Sequence, residues 1–235
     1  MLVQRHSADV ELTDIKRMDQ LTIIQKIAVW ILPVIFAITV HEVAHGWVAK
    51  KYGDNTAFRL GRLTLNPIKH IDPFGTIIIP GLLLLTGTGF IFGWAKPVPV
   101  DARNFKKPLH DMAIVALAGP VSNVLMALGW AMVARLGITI GTGAENVSLP
   151  LVYTGIAGIS INLVLALLNL LPIPPLDGSR ILTGILPHRL AWQYNQLERY
   201  GFIILLILLY TKILNAILAY PMYLAQNLFF SIAGM

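Results

Sequence analysis

The sequence contains no cysteine, which excludes disulfides and thiolate metal ligands alike. Charge is scarce as well. Only 13% of the 235 residues are Asp, Glu, Lys or Arg, against roughly 25% in soluble domains, so most of the chain is poorly equipped to face water. No basic stripe with interleaved aromatics is present, and the net charge of +6 therefore does not point to nucleic acid. No internal repeat and no low-complexity tract is visible. An N-terminal apolar block is missing too: residues 1–20 carry charges of both signs, which argues against a cleavable signal peptide. Acidic residues number only 12, a scarcity that narrows the search for chemistry.

Apolar sequence is what the chain has in abundance. Hydrophobic residues make up 56%, and several runs approach or exceed the ~20 residues that span a hydrocarbon core. The fold class expected is an all-α polytopic membrane protein with about four full transmembrane helices. These are Leu21 to Lys51 with Pro33 as a kink, Asp111 to Leu136, Leu151 to Leu171, and Tyr200 to Tyr220. Residues 1–20 are expected as an N-terminal tail, 21–220 as the membrane domain, and 221–235 as an apolar C-terminal tail lying in the interface. Phe74 to Phe92 is apolar but interrupted by Pro80, Gly81, Gly87 and Gly89, a pattern that suits a re-entrant segment better than a clean span. Alternating apolar and polar residues in the run Phe58 to Pro67 predict a small membrane-associated β-hairpin or edge strand. Trp94 to Val100 should be extended, because Pro97 and Pro99 resist helix formation.

Loop charge supplies an orientation. Loops 50–73 and 94–110 together hold nine Lys and Arg, whereas loop 137–150 holds none. By the positive-inside rule the basic loops are cytoplasmic. Both ends of 74–93 then lie on one side, as a re-entrant segment requires. The protein is expected in the cell membrane with both termini outside.

Within the first span stands His41-Glu42-Val43-Ala44-His45. Residues four apart share a helix face, so the two imidazoles can address one metal ion, with Glu42 beside them to accept a proton from water. Ionisable groups at membrane depth are costly and mark function. A catalytic zinc site takes a third protein ligand. Of the other carboxylates, Asp9, Glu11, Asp14 and Asp19 lie in the tail, and Asp54, Asp72, Asp101 and Asp111 lie in basic loops. Glu145 is outside and Glu198 has polar neighbours. Asp177 alone sits in a rigid apolar turn at the right depth, after Pro172, Pro174 and Pro175 and before Gly178. His70, His110 and His188 fall in polar loops and read as solvated or structural.

These residues, with Ala118-Gly119-Pro120-Val121-Ser122-Asn123 and the stretch from Asn169 to Gly178, resemble the site-2 protease family of intramembrane zinc metalloproteases. The resemblance covers about residues 22–220 and is to compact members, with no room for a PDZ or nucleotide-sensing domain. It implies one Zn2+ held by His41, His45 and Asp177, with Glu42 as catalytic acid and base. It implies cleavage of a transmembrane protein substrate near the cytoplasmic face, the strand-like region pairing with the unwound substrate. It also implies that Asn169 holds substrate or its oxyanion, the alternative being a brace at a helix end. Asn123 is a further candidate for that role, or else glue between packed helices. The competing class is a membrane transporter or channel with a metal site, since broken helices and buried polar groups also mark ion pathways.

Overall fold

The computed structural model describes residues 20–79, 82 and 93–235. Among these the secondary structure is helical throughout, with no strand. Helix α1 (Ile23–Lys51) begins at a capping box, in which the Thr22 side chain accepts from the Gln25 N–H and the Gln25 side chain returns to the Thr22 N–H. It is followed by the short α2 (Thr56–Arg59) and a 3-10 turn, Pro67–His70. Helix α3 (Pro108–Ile140) starts with proline at its first position, where no hydrogen bond is lost, and stops at Gly141 with φ 67°. A 3-10 turn, Gly141–Ala144, leads straight into α4 (Glu145–Asn169). Then come α5 (Asp177–Ile185), α6 (His188–Asn195), α7 (Glu198–Tyr210) and α8 (Ile213–Ala233).

Four of these helices, α1, α3, α4 and α8, are long and apolar enough to cross a membrane. The chain is a multi-pass membrane protein. Its bundle is closed by small residues, as expected where lipid is as apolar as any side chain and close backbone approach supplies the contact. Ala127, Ala131 and Ala134 of α3 are wholly buried against α4. There a Cβ on Gly155 would lie 2.6 Å from the Ala134 Cβ, and one on Gly158 would lie 2.2 Å from the Trp130 ring. Large apolar side chains such as Ile23, Ile24 and Leu125 face outward, toward lipid.

Three expectations change. The fourth crossing is not Tyr200 to Tyr220. Helix α7 has 13 residues, about 20 Å of rise, too short for a ~30 Å core. It ends at Tyr210, and Lys212, two residues on, takes the left-handed conformation at φ 60° before the next helix starts. The crossing-length helix is α8, and residues 221–233 belong to it instead of forming an interfacial tail. Phe229, Phe230 and Ala233 pack into the α3–α4 core, and Arg135 of α3 donates to the Ile232 carbonyl at 3.1 Å. Nor is there a β-hairpin at 58–67: α2, a turn at Gly61 (φ 64°) and the start of the 3-10 turn Pro67–His70 occupy the region. Of the expected re-entrant segment, Pro73–Ile78 is a π-helical turn, and residues 80–81 and 83–92 lie outside the described residues, as does the tail 1–19. Trp94 to Val100 is neither helix nor strand.

Candidate metal centre

Helix α1 carries His41 and His45 on one face, with ring centroids 4.7 Å apart and planes nearly perpendicular. Asp177 arrives from the first turn of α5. The two Nε2 atoms are 3.1 Å apart, and Asp177 Oδ2 lies 3.1 Å from one and 3.2 Å from the other. Three donors around one tetrahedral ion at ~2.0–2.1 Å would stand about 3.3 Å apart, so the triangle is nearly the size a zinc ion needs. All three residues are buried.

The protons point the same way. Each His Nδ1 meets an acceptor: Asn123 Oδ1 at 2.5 Å from His41, and the Val115 carbonyl at 2.8 Å from His45. Neutral rings donating through Nδ1 present bare Nε2 lone pairs to the centre. Among the described residues, the buried Asp177 Oδ2 has no hydrogen-bond donor. Two lone pairs and an anionic oxygen are thus gathered where no donor compensates them. A single shared proton would serve one edge of the triangle, whereas one cation serves all three donors at once. The donor set fits a metal ion.

Close approach makes this convergence possible. A Cβ on Gly119 would lie 2.5 Å from His45 Cε1 and Nε2 and 2.6 Å from His41 Cε1. Only a glycine lets α3 pass directly beneath both rings. A Cβ on Gly178 would lie 2.3 Å from the Leu171 carbonyl oxygen and 2.4 Å from that of Leu170, so Gly178 lets α5 nest against the end of α4 and brings Asp177 to the histidines. The preceding turn is braced by Tyr194, whose hydroxyl donates to the Pro172 carbonyl at 2.7 Å.

Glu42 adjoins His41 in sequence and faces the segment Trp94 to Val100, which is neither helix nor strand. Its Oε2 accepts from the Val98 N–H at 2.7 Å. The segment is fastened at several points. Lys96 N–H donates to the His70 carbonyl, and Arg62 donates to the carbonyls of Lys96 and Pro97. Val98 itself packs over Gly46, where a Cβ would lie 2.8 Å from Val98 Cγ1. This backbone contact to Glu42 carries no signature in side-chain sequence and was not foreseen. Beyond the segment, Asp54 is fully buried and accepts from Thr56, Asp101 and Asn104, tying the end of α1 to the loop before α3.

The two asparagines are placed differently. Asn123 is fully buried beneath His41, and its amide is occupied by His41, the Ala37 carbonyl and Asn162 Oδ1. Its contacts are thus to His41 and to neighbouring helices, as in the packing alternative. Asn169 donates to the Leu165 carbonyl of its own helix at 3.0 Å, the bracing alternative. Asn162, also fully buried, was missed from sequence. The signal was an amide standing inside an apolar span.

Residues 136–210, from the end of α3 through α7, match Peptidase family M50. A Bacillus subtilis (strain 168) protein named "Putative zinc metalloprotease YwhC" is 44% identical over 196 residues, which are 82% of this chain and 84% of that protein. The chain belongs to peptidase family M50. "Putative zinc metalloprotease Rip2" of Mycolicibacterium smegmatis is 33% identical to this M50 chain over 80% of its length and 68% of the relative's. "Putative zinc metalloprotease MJ0611" of Methanocaldococcus jannaschii is 33% identical over 60% and 62%. No solved structure matches. Membership makes the chain a membrane metallopeptidase, which disfavours the transporter alternative.

Proposed function

We propose that this M50 peptidase is an intramembrane endopeptidase that hydrolyses transmembrane protein substrates near the cytoplasmic face, using zinc held by His41, His45 and Asp177. The observation that carries the reading is the triangle of Nε2, Nε2 and Oδ2 atoms, 3.1–3.2 Å on a side, with Glu42 beside it. The cofactor is zinc, in keeping with the names of the relatives and with a set of two imidazoles and a carboxylate. A zinc ion there supplies Lewis acidity, polarising the scissile carbonyl and making water a better nucleophile.

The chain's own groups do the rest. Glu42 takes a proton as the water oxygen bonds to the carbonyl carbon, and returns it to the amine as the C–N bond breaks. The Val98 N–H holds one carboxylate oxygen and so fixes the other toward the reaction. Asn123 and the Val115 carbonyl orient the two imidazoles. A substrate helix must unwind before its peptide bond can enter, since its amides are bonded within the helix. The segment Trp94 to Val100 offers such a strand few donors, because Pro97 and Pro99 have none and the N–H groups of Trp94, Lys96 and Val98 are engaged. Orientation follows from Lys50 and Lys51 in the last turn of α1 and the basic loops beyond it. They support a cytoplasmic side for this end of the helix, with His45 in reach of water there.

The test is Glu42→Gln in proteoliposomes holding a single-span substrate. Zinc content should stay stoichiometric while cleavage is abolished. Cleavage at the wild-type rate would overturn the assignment of Glu42, and Asp177→Ala with undiminished zinc would remove Asp177 from the site.

A further inference from the structure

Beneath the metal centre, α4 contributes a group that never approaches substrate. Asn162 Nδ2 donates to the Gly158 carbonyl at 2.8 Å. That bond fixes which end of the Asn162 amide is nitrogen, and it turns Oδ1 toward Asn123. Asn123 Nδ2 then donates to Asn162 Oδ1 at 2.9 Å and to the Ala37 carbonyl at 3.2 Å. With both its hydrogens placed on that side, Asn123 has only its oxygen to offer His41 Nδ1. An oxygen there demands an N–H on Nδ1, and in a neutral ring that leaves Nε2 bare. Both asparagines are wholly shielded from solvent, so water cannot substitute for either partner without entering the bundle.

We infer that Asn162 is a positioning residue which selects the metal-binding tautomer of His41 through Asn123, a directed amide relay running from the backbone of α4 to the metal centre. The inference rests on the reading of His41 as a zinc ligand. Replacing Asn162 by an apolar side chain leaves one Asn123 N–H without an acceptor. The Asn123 amide can then rotate and offer nitrogen to His41, which shifts the ring toward the tautomer protonated on Nε2, unable to bind metal. Partners of this kind that orient a ligand histidine are worth about 10–100-fold in metal affinity.

The experiment uses full-length protein in detergent micelles, with zinc affinity measured by chelator competition and the metal-free His41 tautomer read by 15N-histidine NMR. Asn162→Leu should lower zinc affinity about 10-fold or more and populate the Nε2–H form of His41. Asn162→Ala carries the same expectation if the leucine variant fails to fold. Asn162→Asp, which as the neutral acid can donate to Gly158 and accept from Asn123, should restore most of the lost affinity and the Nδ1–H form. A merely structural role would lower thermal stability without moving the tautomer. Unchanged affinity and tautomer in the folded apolar variants would overturn the inference. Failure of the ligand reading is distinguishable, because His41→Ala would then leave zinc binding of the otherwise native chain intact.

Discussion

Gly119→Ala adds one methyl group under both imidazoles, and its consequence can be worked from the structure. The new Cβ would lie 2.5 Å from His45 Cε1 and Nε2 and 2.6 Å from His41 Cε1, whereas carbon atoms in contact prefer ~3.5–4.0 Å. The overlap is therefore about 1 Å, several times the ~0.2 Å by which ligand distances in a metal site may depart from ideal. Retreat is blocked. His45 is bonded to Val115 and His41 to Asn123, both on α3 itself, so moving that helix away breaks the bonds that orient the rings. Overpacking costs ~1–3 kcal/mol, partly offset by ~1 kcal/mol from replacing a helical glycine. The fold should survive while zinc affinity falls at least as far as the ~10–100-fold seen when orienting groups are lost. The assay is elemental analysis and chelator competition on purified protein, alongside thermal unfolding. Gly129→Ala is the control on the same helix, because a Cβ there meets nothing within 4 Å. It should bind zinc normally. Wild-type zinc affinity in Gly119→Ala would refute the reasoning that a close helix crossing builds this site.

Two further outcomes concern the groups around Glu42 and the loop that follows α1. Val98→Pro deletes the N–H that donates to Glu42, at a position already flanked by Pro97 and Pro99. A hydrogen bond to a charged group is worth ~1.5–3 kcal/mol, so kcat should drop at least ~10-fold with zinc content unchanged. Val98→Ala, which retains the N–H, separates the packing effect, and equal kcat in the proline variant and the wild type would dismiss the contact. For Asp54, burial opposes ionisation, but hydrogen bonds led by the Thr56 hydroxyl outweigh it and hold the carboxyl below its ordinary value. The unfolded chain therefore takes up this proton first as pH falls. Stability from Asp54 is complete above the ordinary carboxylate range, about pH 4, and is lost below it. Thermal unfolding should show Asp54→Asn weaker by ~1–3 kcal/mol at neutral pH and flatter in acid, and parallel acid profiles would contradict this.

The most legible parts of the chain were those ruled by a short period or by scarcity. His41 and His45 are one helical turn apart, and Asp177 emerged because so few carboxylates exist to choose from. The hairpin misled because period-two alternation signals a strand only when one face is buried and the other solvated. Here Phe58, Leu60 and Leu65 are all exposed, and the outer medium near a membrane accepts apolar side chains. The fourth crossing was misplaced because its start is set by Lys212 in a left-handed conformation, a break with no glycine or proline to announce it. Pro221, which looked like an end, lies inside α8. Asn162 and the Val98 N–H were not legible as partners. One is an amide whose acceptor is its own helix's Gly158 carbonyl and whose donor, Asn123, lies on a distant helix, and the other is backbone.

The donors of the triangle come from opposite ends of the membrane domain's sequence, and this has a bearing on biogenesis. The histidines enter the bilayer with the first spanning-length helix. Their floor at Gly119 arrives with the second and the amide of Asn162 with the third, while Asp177 is made only after that. A nascent chain thus inserts its histidines long before it can complete their coordination. On the proposed ligand set, the site is complete only once α3, α4 and α5 have docked against α1, so assembly of the bundle itself sets when the three donors can meet.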